Sequence, residues 1–69
     1  MKLEKWHIEY HNEGKEKGDV EVVYGLVYGN PKFVDSTYIR TSEVQEYGKD
    51  MKCVRTLNST YELGEVLRG

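Results

Sequence analysis

The chain has 69 residues, which is the size of one small domain. Ten lysine and arginine residues oppose twelve aspartate and glutamate residues, so the formal net charge is −2, with both signs spread along the chain. This balance argues against non-specific binding to duplex nucleic acid, which requires clustered cations, and no apolar run approaches the roughly 20 residues of a membrane span.

The cysteine content and the first residues predict a reduced, cytoplasmic setting. Cys53 is the only cysteine, so a disulfide within the chain is excluded. The first five residues mix charged and apolar side chains, unlike a secretory signal peptide. We therefore expect a cytoplasmic protein that does not bind a membrane.

Strand periodicity dominates the first third of the chain. Between Trp6 and His11 apolar and polar residues alternate, which predicts a strand with Trp6, Ile8 and Tyr10 on one face. Residues 12–19 are polar and contain glycine, so they predict an exposed, mobile hairpin loop.

A second, longer strand is predicted from Val20 to Gly29, where every second residue is apolar. Gly25 lies inside this strand. A glycine there indicates either a bend that lets one strand serve two sheets or a space filled by a large neighbour such as Trp6. The sequence leaves both interpretations open.

Turns and shorter strands follow. The proline-containing run from Gly29 to Phe33 and the pair Asp35–Ser36 predict turns. A third strand, interrupted or bulged, is predicted from Thr37 to Glu46. Because Ser42 to Gln45 has the spacing of a capping box, one short helical turn is the alternative there. The run Gly48–Asp50 predicts the next turn.

The C-terminal part predicts a tight hairpin. Two strand-like runs, Met51 to Leu57 and Thr60 to Val66, are separated by only Asn58 and Ser59. Pairing Leu57 with Thr60 brings opposite charges together on one face and apolar side chains together on the other. The pairs in this register are Thr56 with Tyr61, Arg55 with Glu62, Val54 with Leu63 and Lys52 with Glu65.

Five short strands in succession predict an all-β fold that forms a single domain over residues 1–69. Because consecutive strands usually lie side by side, we expect an antiparallel meander. It would curl into a small SH3-like open barrel, or form a curved sheet that dimerises through one face.

Three runs in the last two-thirds of the chain resemble small uncharacterised proteins of Gram-positive bacteria and their phages. The resemblance implies an accessory or phage-derived role and implies no catalytic activity. The runs that carry it are Gly25–Phe33, Tyr38–Val44 and Thr56–Gly64.

Metal binding and catalysis are not predicted. His7, Glu9 and His11 share one face of the first strand, but positions i and i+4 of a strand are about 13 Å apart, and zinc ligands lie at roughly 2 Å from the ion. We therefore expect these imidazoles to be solvated. Cys53 has no identifiable base beside it, and no phosphate-binding loop or nucleophile motif occurs. The sequence therefore predicts no cofactor, no metal site and no enzyme.

A binding surface is the remaining functional expectation. Aromatic, amide and cationic side chains accompany the connection between the second and third strands, and such groups either anchor a protein partner or stack the bases of a single-stranded nucleic acid. The alternative is structural, with Tyr28 and Phe33 closing the open end of the barrel and Lys32 in solvent. The candidate residues are Tyr28, Asn30, Lys32, Phe33, Tyr38 and Arg40.

These observations predict a non-catalytic interaction module. Contact with another protein, or with a second copy of the chain, is the first hypothesis. Binding of single-stranded nucleic acid or of a nucleotide through the aromatic and basic residues is the alternative, which the negative net charge disfavours.

Overall fold

The structure, a computed structural model, describes residues 1–14 and 18–68. These residues form a single sheet of six strands with one short 3-10 turn, which confirms the all-β prediction. No helix in this part of the chain is long and apolar enough to cross a membrane. The strands are β1 Lys2–Gly14, β2 Gly18–Tyr28, β3 Thr37–Arg40, β4 Val44–Tyr47, β5 Cys53–Thr56 and β6 Thr60–Leu63, and the 3-10 turn is Lys49–Met51.

The strand order is β3-β2-β1-β6-β5-β4. The first three strands form one antiparallel meander and the last three form another. The two meanders join where β1 and β6 run parallel, with Leu3 beside Leu63. The prediction of one continuous antiparallel meander is therefore wrong at this junction.

The predicted count of five strands is also wrong for the described residues, because the third predicted strand is divided. Thr41 ends the ladder with β2: its N–H donates to the Val23 carbonyl at 2.9 Å, and its Oγ1 accepts from the Val23 N–H at 3.0 Å. The chain then turns away, and the Glu43 carbonyl accepts from the Leu57 N–H at 3.0 Å. The single strand predicted from Thr37 to Glu46 thus contributes to both outer strands of the sheet, β3 and β4.

This division requires the sheet to curl. In a flat sheet of six strands the two outer strands would lie about 24 Å apart. Here the outer strands are β3 and β4, and the steps from Arg40 to Val44 span at most roughly 14 Å. The Tyr47 hydroxyl of β4 donates to the Glu21 carboxylate of β2, the neighbour of β3. This hydrogen bond is expected if the two outer parts of the sheet approach each other.

The core fills the inside of this curl. Alternate residues of the strands point inward, but in β2 the inward set contains Val23 and Val27, whereas the apolar set that alternates in the sequence, including Val22 and Tyr24, lies on the outer face. The Trp6 indole N–H donates to the Gly64 carbonyl at 3.0 Å, which ties β1 to the segment after β6. The core residues are Leu3, Trp6, Val23, Val27, Ile39, Val54, Tyr61 and Leu63.

Gly25 makes room for Trp6, which decides between the two interpretations of this glycine. A bulge in β1 places Lys5, in the left-handed region at φ 50°, and Trp6 opposite Gly25. A Cβ at position 25 would lie 3.1 Å from the Glu4 carbonyl oxygen and 3.2 Å from the Trp6 Cβ.

The predicted register of the C-terminal hairpin is wrong by two residues. The structure opposes Arg55 to Thr60 and Val54 to Tyr61. The connection is longer than predicted, because Thr56 closes it: its N–H donates to the Ser59 carbonyl at 2.8 Å, and its Oγ1 accepts from the Ser59 N–H at 3.2 Å.

A shift by two residues preserves the face of every side chain, so Val54 and Tyr61 still point into the core. The partner of Arg55 does change. Its guanidinium lies 2.6 Å from the Glu46 carboxylate of β4 rather than opposite Glu62.

Two further expectations are corrected. The strands continue to Gly14 and begin again at Gly18, so the predicted loop over residues 12–19 is too long, and residues 15–17 lie outside the described residues. The alternative of a helical turn from Ser42 to Gln45 is wrong, because Val44–Tyr47 is a strand, as the first interpretation predicted. The short helical turn lies at Lys49–Met51 instead.

Candidate binding surface

The outer face of the first meander carries most of the polar aromatic side chains. Cross-strand partners share a face, and the register opposes His7 to Tyr24. Tyr24 in turn lies opposite Arg40, and Tyr38 precedes Arg40 by two residues and therefore shares its face. Three strands thus contribute to one surface, whose other members on β1 and β2 are Glu9, His11, Val20, Val22 and Leu26.

Four rings on this surface contact one another. His7 and Tyr24 stack with centroids 5.3 Å apart and an interplanar angle of 7°. Tyr38 stacks on Tyr24 at 5.8 Å and on His7 at 6.5 Å. The His11 ring is tilted against Tyr24 at 5.8 Å. We call His7, His11, Tyr24 and Tyr38 the ring cluster.

Glu9 joins the two histidines of the ring cluster. One carboxylate oxygen lies 2.6 Å from His7 Nε2 and the other lies 3.3 Å from His11 Nε2. The Tyr24 hydroxyl is 3.1 Å from the same His11 nitrogen. The expectation of solvated imidazoles is therefore wrong. The Glu9 side chain lies between the two histidines on the strand and reaches both rings.

In the part of the chain that the structure describes, no three histidine, cysteine, aspartate or glutamate side chains converge as metal ligands. His7 Nδ1 is buried and makes no hydrogen bond to any described residue. The histidines therefore act here as planar rings and as partners of Glu9.

The face that carries the ring cluster also holds an apolar residue that points away from the core. Val22 lies opposite Glu9 on the outer face, yet it is only 1% exposed. Its cross-strand partner is Glu9, and Tyr24 follows it by two residues on the same face. The outer face of the hairpin thus has a small apolar layer of its own.

Tyr38 is the outermost ring of the cluster and remains 56% exposed. Loss of hydration raises the pKa of its hydroxyl, and the Glu9 carboxylate and Tyr24 raise it further. Tyr38 therefore presents a neutral hydroxyl and an accessible ring edge near neutral pH. Arg40, also exposed, is two residues away on the same face.

The structure brings some of the predicted site residues together and separates others. Tyr38 and Arg40 belong to the outer face of the ring cluster. Tyr28 is half-buried at the end of β2, opposite Lys2, on the same side of the sheet.

The other three predicted residues lie in the turn after β2. Asn30 is buried, and its side-chain oxygen accepts from the Lys32 N–H at 2.9 Å, while its carbonyl accepts from the Phe33 N–H at 3.1 Å. Lys32 and Phe33 are exposed on this turn. Asn30 therefore shapes the turn that presents its neighbours.

Sequence reasoning missed the contribution of Tyr24 and the histidines to this surface. Alternation already placed Tyr24 and Tyr28 on the same side of β2. The missing information was the register with β1 and β3, which brings Tyr24 between His7 and Tyr38.

Comparison of the chain with protein-family models, with curated proteins and with solved structures finds no match.

Proposed function

We propose that the chain is a non-catalytic interaction module that binds another protein through the outer face of β1, β2 and β3, with Tyr38 and Arg40 as anchors. The observation that carries this proposal is an exposed tyrosine held in place by two stacked rings, His7 and Tyr24. Tyrosine and arginine are the residue types that most often dominate the energy of protein interfaces.

Stacking prepares Tyr38 for binding. A side chain whose rotamer is already restricted loses little conformational entropy when a partner covers it. The ring can therefore contribute apolar area while its hydroxyl donates or accepts a hydrogen bond at the edge of the contact.

The same proposal includes the setting inferred from the sequence. We take the curled sheet to be a small SH3-like barrel forming one domain, and the chain to be a cytoplasmic accessory or phage-derived protein. The support is the close approach of β2 and β4 at Glu21 and Tyr47 and the resemblance of its middle and C-terminal runs to small proteins of Gram-positive bacteria and their phages.

The test is affinity capture from a Gram-positive host lysate, followed by calorimetry with the purified protein that is captured. Tyr38→Ala and Arg40→Ala are each expected to weaken binding roughly tenfold or more, because truncation of an anchor residue removes a large part of the binding energy. Leu57→Ala and Arg55→Ala are the matched controls, since both residues are exposed at the other end of the sheet.

Unchanged affinity of the Tyr38→Ala and Arg40→Ala variants would contradict the assignment of this surface. A partner lost equally in all four variants would indicate a general effect on the fold rather than a contact at Tyr38.

A second candidate function is binding of single-stranded nucleic acid. Its support is the near-parallel stacking of His7, Tyr24 and Tyr38 on an open sheet face beside Arg40, an arrangement on which bases can stack. The Glu9 carboxylate and the net charge of −2 disfavour it. Titration of tyrosine fluorescence with oligonucleotides at low salt tests it, and an unchanged signal would eliminate it.

A further inference from the structure

We infer that a second copy of this chain pairs with the outer edge of β1, in antiparallel orientation, through residues 8–12. This interface lies on an edge of the sheet, and it shares only Glu9 and His11 with the outer face described above. It is carried by the direction of the β1 amides and by the charges on either side of Tyr10.

The far half of β1 has only one neighbouring strand among the described residues. β2 flanks β1 along its whole length, from Lys2 to Gly14. On the other side, β6 and the segment that follows it accompany β1 only as far as Trp6, whose amide and carbonyl bond to Glu65 and Leu67. Beyond Trp6, no residue among 1–14 and 18–68 pairs with this edge of β1.

Two independent observations identify the amides that point outward along this edge. Trp6 directs its N–H and carbonyl to the C-terminal segment, so Ile8, Tyr10 and Asn12 point the same way by alternation. In β2, Val23 points away from β1 and towards Thr41.

The observation on Val23 leads to the same assignment. Its neighbours Val22 and Tyr24 must point towards β1, so their partners Glu9 and His7 point towards β2. No described residue bonds to the outward amides of Ile8, Tyr10 and Asn12. Within the described part of the chain these three residues thus form a row of donors and acceptors without a strand partner.

Strand pairing about a two-fold axis restricts the register. Residues that exchange hydrogen bonds across an antiparallel pair must both point towards the partner, so Ile8, Tyr10 and Asn12 of one copy must face members of the same set. Three central registers satisfy this condition: Ile8 opposite Tyr10, Tyr10 opposite Tyr10, and Tyr10 opposite Asn12.

Charge selects one of the three. With Ile8 opposite Tyr10, Glu9 faces Glu9 of the second copy, and with Tyr10 opposite Asn12, His11 faces His11. With Tyr10 on the two-fold axis, Glu9 faces His11 twice. Side chains approach most closely at such non-hydrogen-bonded positions, so this register places opposite charges, or a carboxylate and an imidazole donor, at the closest contacts.

The selected register also gives hydrogen-bond partners to the outward backbone groups of this edge and covers its exposed tyrosine. Roughly six backbone hydrogen bonds would form, from Tyr10 to Tyr10 and from each Ile8 to the opposite Asn12. Tyr10 is 63% exposed and large, and the second tyrosine would cover it at the axis. A second copy therefore fits this edge by hydrogen bonding, by charge and by apolar contact.

The first experiment measures whether the copies meet at Tyr10. In a Cys53→Ser background, Tyr10→Cys places two thiols on the axis, with Cα atoms about 5.5 Å apart, which is within the range of a disulfide. We expect sedimentation velocity to show a concentration-dependent dimer and mild oxidation to cross-link this variant. Gln45→Cys in the same background, at an exposed position of β4, is the control and is expected to cross-link at least tenfold more slowly.

The second experiment measures the register by mixing variants. Glu9→Lys sets a lysine against His11 of the other copy, and His11→Glu sets a second carboxylate against Glu9. Each variant alone is therefore expected to dimerise roughly tenfold more weakly. In a mixture, the introduced lysine meets the introduced glutamate, and the unchanged His11 of one chain meets the unchanged Glu9 of the other, so a one-to-one heterodimer should form. A loss of stability within either chain could not be restored by mixing.

Four results would overturn the inference, and three of them concern the wild-type chain, the cross-linking and the mixture. These are a wild-type chain that stays monomeric at every concentration, equal cross-linking of Tyr10→Cys and Gln45→Cys, and a mixture of the charge variants that is no more dimeric than its components. A dimer that persists in both single charge variants would likewise place the contact elsewhere.

Discussion

The β1–β2 hairpin has two ends that bury their valines in different ways. At its base, Val27 is fully buried because the curled sheet brings other strands over its inner face. In the arm, the part of the hairpin beyond Trp6, Val22 is 1% exposed although it lies on the outer face, which it shares with Glu9 and the ring cluster. The base is stabilised by non-local packing, and the arm combines such packing, through Val23, with side chains of two or three adjacent strands on its outer face.

This difference shows that the aromatic residues of the arm have two roles. Tyr24 and His7 stack on each other on the outer face that also holds the buried Val22, which is a structural task. The same rings support Tyr38, which stays exposed and available to a partner. We therefore expect substitutions in the base to change global stability, and substitutions in the arm to change local stability and binding.

The largest expected effect is in the base. Trp6→Ala should lower the free energy of unfolding by about 3–5 kcal/mol, because it leaves a large cavity in a small core and removes the hydrogen bond to Gly64. A domain of this size has little stability in reserve. Urea denaturation followed by circular dichroism measures the loss. Leu57→Ala, at an exposed position, is the control and should change the midpoint little.

A matched pair of valines compares the two regions directly. Val27→Ala and Val22→Ala remove the same atoms from two fully buried positions. Val27→Ala should cost roughly 2–3 kcal/mol of global stability. Val22→Ala should cost less than this, and it should accelerate amide hydrogen exchange mainly in the arm.

Equal losses from the two valine substitutions, with exchange accelerated throughout the sheet, would show that arm and base unfold as one unit. The distinction between the two regions would then be wrong.

The smallest expected effect concerns the contact that links the arm to β4. Burial raises the pKa of the Tyr47 hydroxyl, and its hydrogen bond to Glu21 and the charge of that carboxylate raise it further. Tyr47→Phe removes this hydrogen bond and should cost about 1 kcal/mol at neutral pH.

The raised pKa of Tyr47 also predicts an alkaline pH dependence. The folded chain holds the phenolic proton more tightly than the unfolded chain, whose tyrosine pKa is about 10. The contribution to stability is therefore complete below pH ~10, and it is lost as pH rises towards the higher folded pKa. Urea denaturation of wild type between neutral pH and pH ~11 should show this decline, and Tyr47→Phe should show a shallower one. Parallel curves would contradict the assigned role of the contact.

Alternation predicted which way side chains point in β1 and in the C-terminal hairpin, whereas in β2 the core is filled by Val23 and Val27 and not by the alternating apolar set that contains Val22 and Tyr24. Trp6 and Ile8 face inward as the sequence indicates, and so do Val54 and Tyr61, although their hairpin register differs by two residues. Periodicity also placed His7 and Glu9 on one face of β1. These predictions succeed because the direction of a side chain depends on the local pleat of its own strand.

Strand partners required information from distant parts of the chain. The parallel contact of Leu3 with Leu63 joins the two ends of the chain, and nothing in either segment specifies it. The hydroxyl of Thr41 ends the pairing with β2, and Thr56 with Ser59 sets the C-terminal hairpin. The end of the β2–β3 pairing and the register of the C-terminal hairpin each depend on a side-chain hydrogen bond that residue type alone does not predict.

The sequence by itself therefore determined an all-β chain whose strands have defined inner and outer faces, and it identified Tyr38 and Arg40 as candidates for binding. Only the tertiary structure decided that β2 lies between β1 and β3, so that Tyr24 meets His7 and Tyr38 and the outer edge of β1 beyond Trp6 has no strand partner among the described residues. The physical reason is that the period of a strand is a local property of the backbone. Register and curvature, in contrast, are set by contacts between residues far apart in the chain.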